Sequence, residues 1–175
     1  MKSDFINTLV ADGPDDKYRD QLMLFGQFVG TWDFEWIGHN ADGSTWSVPG
    51  EWIFSWILEG RAIQDNWICP AREFRGTGKY PEGELGTTLR YYNHESDEWR
   101  TVWVGPHLNL MFFFKVIRKG DDIEINEINV DNKETITRWM FTDIKSDSFR
   151  WTAYDSNDDG KSWLLTQEVL ANRRK

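Results

Sequence analysis

From Gly30 onward, apolar and polar residues alternate with a period of two. Trp32, Phe34 and Trp36 alternate with Asp33, Glu35 and Ile37, and Trp52, Phe54 and Trp56 follow with Glu51 and Ser55 between and beside them. Successive side chains of an extended chain leave on opposite faces, so each run predicts a strand with one ring-bearing face. Short polar stretches separate the runs: Asn40-Ala41-Asp42-Gly43, Glu59-Gly60, Asn93-His94-Glu95-Ser96-Asp97, Lys119-Gly120-Asp121 and Asp131-Asn132-Lys133. These are turn sequences. Ten strand-like runs result, the third over Arg61–Cys69 and the last over Trp163–Leu170.

Before Gly30 the period is helical. Tyr18, Leu22, Phe25 and Phe28 predict a helix over Lys17–Phe28, capped by Asp15 or Asp16, with one face laid on a larger body. Residues 1–14 read as a loose arm, and 15–175 as one domain. Pro70, Gly76, Gly78, Pro81 and Gly83 mark residues 70–85 as a long loop, a candidate lid or barrel-end crossing. The expected fold is all-β: an antiparallel up-and-down barrel of about ten strands with an N-terminal capping helix. Closure removes exposed edges, and an interior of this size holds packed side chains or one small ligand.

Gly30-Thr31-Trp32, between the helix and the first strand, resembles the Gly-x-Trp element of the calycin superfamily, the lipocalins and fatty-acid-binding proteins. The resemblance implies a glycine that permits a tight bend, a Trp that plugs one barrel end, and a late basic residue, Arg173 or Arg174, stacked on that Trp. The stretches Trp52–Asp65, Thr88–Tyr92 and Asp147–Trp151 are similar to an uncharacterised bacterial calycin-like family of domains of unknown function. That similarity implies a barrel with a central cavity and no particular reaction. Ser156-Asn157-Asp158-Asp159-Gly160-Lys161-Ser162-Trp163 resembles the Asp-box, here a single copy read as a hairpin lock rather than a catalytic element.

Composition narrows the function. The chain has 175 residues, one domain's worth at about 150 per domain. Twenty Lys and Arg against 29 Asp and Glu leave a net charge of -9, which argues against nucleic acid or anionic lipid as the main partner. No apolar run approaches the roughly 20 residues of a membrane helix, and Met1-Lys2-Ser3-Asp4-Phe5 lacks the apolar block of a signal peptide. A single cysteine, Cys69, rules out an internal disulfide and any thiolate cluster from this chain alone. A reducing, cytoplasmic setting is the expectation. Eleven Trp, 11 Phe and 5 Tyr supply the apolar mass, either as a solid core or as a cavity wall.

The ring faces carrying Trp32/Phe34/Trp36, Trp52/Phe54/Trp56, Trp99/Thr101/Trp103 and Phe149/Trp151 should point inward, leaving Asp33, Glu35, Glu51, Arg100 and Arg150 to water. Arg61, Ile63, Asp65 and Trp67 share one face, and Ile123, Ile125, Glu127 and Asn129 another. An inward carboxylate must be paired or neutralised, with Arg61, Arg90 or Arg138 as partners; an unpaired one becomes a general acid/base candidate. His39 and His94 fall in turns. His107, after Gly105-Pro106, is a weak candidate base or haem ligand near a barrel mouth, and no histidine pair has metal-ligand spacing. Nucleophile and phosphate-loop motifs are absent.

The expected function is therefore binding of a small apolar or aromatic molecule by Trp36, Trp56, Arg61, Trp67, Arg90, Trp103, Arg138 and Trp151, with no cofactor and no metal. The alternative is a cofactor-independent isomerase, cyclase or decarboxylase using Asp65 or Glu127 for proton transfer. Ile53, Ile57, Val102 and Val104, on nominally outer faces, form a possible homodimer patch.

Overall fold

Each of the ten alternating runs is a strand in the computed structural model of the chain, which describes residues 4–81, 83–128 and 133–175. They are β1 (Gly30–His39), β2 (Thr45–Ile57), β3 (Ala62–Ile68), β4 (Leu85–Asn93), β5 (Glu98–Gly105), β6 (Leu110–Lys119), β7 (Asp122–Ile128), β8 (Ile136–Thr142), β9 (Ser148–Ser156) and β10 (Leu164–Arg173). Each strand pairs antiparallel with the next, and β10 returns to β1, closing the barrel. Asn129, expected to share a face with Ile125, lies outside the described residues.

Register puts the rings on one side. Trp32 lies opposite Trp52, and Trp52 opposite Trp67. So many large side chains on a closed inner face need gaps, and inward glycines supply them. A Cβ on Gly50 would overlap the Phe34 ring, and one on Gly86 would overlap the Trp103 indole. Small residues facing large ones are how a small barrel fits its taper.

The capping helix is shorter than the periodicity predicts. Asp15 caps a 3-10 turn over Asp16–Tyr18, accepting from the Lys17 N–H at 2.9 Å. The α-helix proper covers Arg19–Gly26 and is preceded by a six-residue helix, α1, over Asp4–Leu9; we label the longer one α2. α2 ends early because the chain must bend into β1, and the carbonyls just beyond it find side-chain donors. The Trp32 indole N–H donates to Phe28 O at 2.7 Å, while Arg173 donates to Gln27 O at 2.7 Å and Val29 O at 2.8 Å. The Arg173 guanidinium also lies 4.1 Å from the Trp32 ring centroid. Gly30, at φ +132°, leaves the space this arginine occupies: a Cβ there would stand 2.6 Å from Nη1. Of the two arginines anticipated over Trp32, Arg173 fills the place.

The N-terminal segment is not a loose arm where it is described. After α1, Leu9 O accepts from the Leu58 N–H at 2.8 Å, and the Ala11 N–H donates to Trp56 O at 3.0 Å. Val10 bridges to Ile57, which is 3 % exposed, so Ile57 is not part of an outer patch. The Asp-box hairpin is locked as expected. Asp158 accepts from the Ser162 backbone N–H at 2.9 Å and its hydroxyl at 2.6 Å, and Ser156 adds a third bond at 2.8 Å. These donors, Ser162 first, hold the Asp158 carboxyl down at about 2.

Glu51 faces outward as expected, yet it does not meet water: it is 4 % exposed. Arg72 donates to it from the backbone at 2.8 Å and from Nη2 at 2.7 Å, and Arg174 at 3.0 Å. It thereby ties the start of the long loop and the end of β10 to the β2 wall. The Arg72 bonds, working against burial and aided by Arg174, depress its carboxyl to about 2. A depressed folded-state value stabilises above the unfolded carboxylate range and is lost as pH falls through the folded value. Urea titrations of Glu51→Gln should show a lower midpoint than wild type at pH 7, with the gap closing between about pH 4.5 and pH 2. A gap independent of pH would contradict this.

Candidate functional site

The interior has two halves of different character. At the α2 end it is solid. Phe25 and Phe28 enter the barrel and meet Trp99 at 5.0 Å, Phe141 at 4.9 Å and Phe149 at 4.9 Å, ring centroid to centroid. Asp65 is paired there with Arg90; both side chains are at most 1 % exposed. Phe25 and Phe54 lie 5.1 and 5.5 Å from the Arg90 guanidinium, and Asp65 also accepts from the Thr88 N–H at 3.3 Å. A buried ion pair is stable in this form because each charge has its partner and the cation has ring faces around it.

At the opposite end the rings stand back from one another. Trp36, Trp52, Trp67, Trp103, Trp139 and Trp151 wall a cavity of about 200 Å³. Phe112, Ala153 and the hairpin residues Leu108 and Leu110 complete the apolar surface. The walls are braced by edge contacts: Trp52–Trp67 at 5.0 Å, Trp139–Trp151 at 5.4 Å and Trp67–Trp103 at 6.4 Å. Phe34 and Phe114 back two of them, at 4.3 Å from Trp67 and 4.2 Å from Trp139. Ring-on-ring support of this kind fixes rotamers and keeps the space from collapsing.

The polar lining consists of Glu84, Thr88, Thr137, Asp155 and Gln167. Gln167 accepts from the Trp36 indole at 3.0 Å, and Asp155 accepts from the Thr137 hydroxyl at 2.9 Å. Glu84 is 4 % exposed and accepts the backbone N–H groups of His107 at 3.1 Å and Leu108 at 3.0 Å. It pins the β5–β6 turn over the mouth. Three lining groups have no partner in the protein although buried: the indole N–H of Trp52, the indole N–H of Trp151 and the Thr88 hydroxyl. Such donors cost free energy until an acceptor meets them.

Of the eight residues expected to bind a ligand, Trp36, Trp67, Trp103 and Trp151 line this cavity. The other four stand elsewhere. Trp56 is turned toward α2 against Gly26. Arg61 precedes β3 and lies outside, 66 % exposed, bonded to Asp15 at 3.0 Å beside a second surface hollow with Tyr18 and His94. Arg90 is in the buried pair. Arg138 faces outward, because its neighbour Trp139 is the inward one; it stacks 3.9 Å from the Trp163 ring and bonds Asn126 at 2.8 Å. Asp65 and Glu127 are both committed: Glu127 pairs with Lys133 and accepts the Thr137 N–H at 3.0 Å. Neither lines the cavity. His107 is exposed. Cys69 is buried, which pushes its thiol up to about 12, an inert packed sulfur.

Trp52, Trp139, Phe112, Glu84 and Asp155 are among the lining residues outside the expected set. Trp139 was available from alternation within β8, two positions from Phe141. Glu84 had no signal, since it stands in a loop and gains its role from the turn it caps. No cluster of three or more His, Cys, Asp or Glu grouped to hold a metal occurs among the described residues.

No protein-family model matches the sequence, and no curated protein matches it. The solved structures supply likeness of fold. Rv2717c from M. tuberculosis superposes with a TM-score of 0.61 at 12 % identity, covering 89 % of this chain and 98 % of that one. The S-type phycobiliprotein lyase CPES from Guillardia theta superposes with a TM-score of 0.58 at 10 % identity, covering 87 % and 92 %. The likeness is one of fold, a closed antiparallel barrel.

A hollow and a plug respond oppositely to added volume. Ala153 lines the cavity at 2 % exposure. Ala153→Leu should leave the thermal midpoint unchanged or raise it, while blocking ligand uptake. A loss of about 1–3 kcal/mol, the usual cost of overpacking, would show that the space is already filled.

Proposed function

We propose that this protein binds one small, flat, largely apolar molecule in the tryptophan-walled end of its barrel. The observation that carries the reading is the wall itself: six indoles around about 200 Å³. Drug-sized ligands occupy roughly 300–1,000 Å³. A dry apolar cavity of about 150 Å³ accommodates benzene. The guest is accordingly of one or two fused rings. Indole faces supply most of the binding energy through apolar burial and ring stacking. Likeness of fold to a phycobiliprotein lyase is compatible with a ligand-holding barrel. The family reading offered by the sequence, an uncharacterised bacterial calycin-like group, belongs to the same proposal, as does a reducing, cytoplasmic setting.

Acid–base catalysis by Asp65 or Glu127 has no such support, since both carboxylates are paired with cations and neither lines the cavity. The homodimer patch loses Ile57 and keeps Ile53, Val102 and Val104. The two valines sit on the outer face in register with Phe113 and Met111, which are 44 % and 56 % exposed.

Calorimetry with matched monocyclic probes tests the binding reading. Acetophenone and cumene should both bind saturably. Trp151→Ala, which removes one ring face from the wall, should weaken both about tenfold. Absence of saturable binding by either probe would refute the reading.

A further inference from the structure

The cavity has a sign as well as a shape. Two carboxylates, Glu84 and Asp155, stand among the lining residues, and none of those residues is Lys, Arg or His. Glu84 is the more telling. Its carboxylate is buried, receives only two backbone N–H bonds, and has no ion-pair partner among the described residues. Gly105 is what lets it sit there: a Cβ would stand 2.7 Å from Oε2 and 3.1 Å from the Trp103 indole nitrogen. The charge is therefore pressed against the aromatic wall rather than turned to solvent. Every other buried carboxylate among the described residues has its cation: Asp65 has Arg90, Glu51 has Arg72 and Arg174, and Glu124 has Lys119 at 2.5 Å.

The faces of the indoles add to the same potential. An aromatic face attracts cations, most strongly for Trp, and the attraction grows when water is excluded. The protein already uses this contact at the rim, where the Lys133 ammonium lies 5.0 Å from the centroid of Phe112 while paired with Glu127. That local pair is neutral in sum and leaves the Glu84 charge uncompensated.

We infer that the tryptophan cavity is a site for a small aromatic ammonium, with its ring between the indoles and its cationic nitrogen directed to Glu84 and Asp155. This rests on the binding reading above and adds the charge class of the guest. Carboxylate-bearing guests of the same size are excluded, because their charge would enter a space with two carboxylates and no cation to receive it.

Three probes of one skeleton separate the possibilities: phenethylammonium, propylbenzene and 3-phenylpropionate, each titrated calorimetrically into the wild-type protein at pH 7. The expected order is phenethylammonium about tenfold or more tighter than propylbenzene, with 3-phenylpropionate showing no saturable binding. Propylbenzene binding as tightly as the ammonium, or the carboxylate binding at all comparably, overturns the charge assignment and leaves the cavity reading intact. Failure of all three refutes both. Glu84→Gln and Asp155→Asn then locate the effect. At least one should cut the ammonium-to-propylbenzene ratio about fivefold, and an unchanged ratio in both overturns the assignment to these carboxylates. Because Glu84 also pins the β5–β6 turn, the wild-type probe series decides the question even if Glu84→Gln does not fold.

Discussion

Ten strands closed into a ring fix the width of the interior, and everything inside must be reconciled with that width. The inner face carries more aromatic volume than a sheet of uniform large residues could close around, so glycines such as Gly50 and Gly86 stand opposite Phe34 and Trp103. Helix α2 completes the filling at one end only. Phe25 of α2 and Phe28 just after it displace what would otherwise be solvent or ligand from half of the barrel. The hollow at the other end is what remains once the width is set and the plug is in place.

Three attachments keep the plug where it is. Arg173 stacks on Trp32 while donating to the Gln27 and Val29 carbonyls just past α2. Arg90, held by Asp65, presents its guanidinium to the Phe25 ring from the barrel side. The segment after α1 is stitched to the β2–β3 turn through Leu9 and Ala11. Together they make the solid end rigid and confine adaptable contacts to the mouth, where the loop residue Glu84 and the β5–β6 turn meet. A rigid wall with a polar rim is the arrangement that small-molecule sites favour.

Period-two alternation made the barrel legible. It located all ten strands, and strict parity told which ring faced inward in β1, β2, β5 and β9. The same rule placed Trp36, Trp67, Trp103 and Trp151 on the cavity wall. It failed for the basic residues, and the reason is physical. Arg61 stands one residue before β3, so alternation does not govern it. Arg138 was assigned by need for a cation rather than by parity, and parity sends it outward beside Trp139. Arg90 was rightly inward, but its position along β4 puts it at the plugged end, and depth in a barrel depends on strand tilt and on where the helix stops. Glu84 lies in a loop, where no periodicity speaks. Which half of an aromatic interior is solid follows from packing across strands far apart in sequence.

The most direct test of a hollow walled by six particular indoles is indole-resolved NMR. Each of the 11 tryptophans contributes one side-chain N–H resonance. Addition of phenethylammonium should move those of Trp36, Trp52, Trp67, Trp103, Trp139 and Trp151, and leave those of Trp32, Trp56, Trp99 and Trp163 in place. Shifts concentrated on the latter set, or none at all with this probe, acetophenone and propylbenzene alike, would contradict the account.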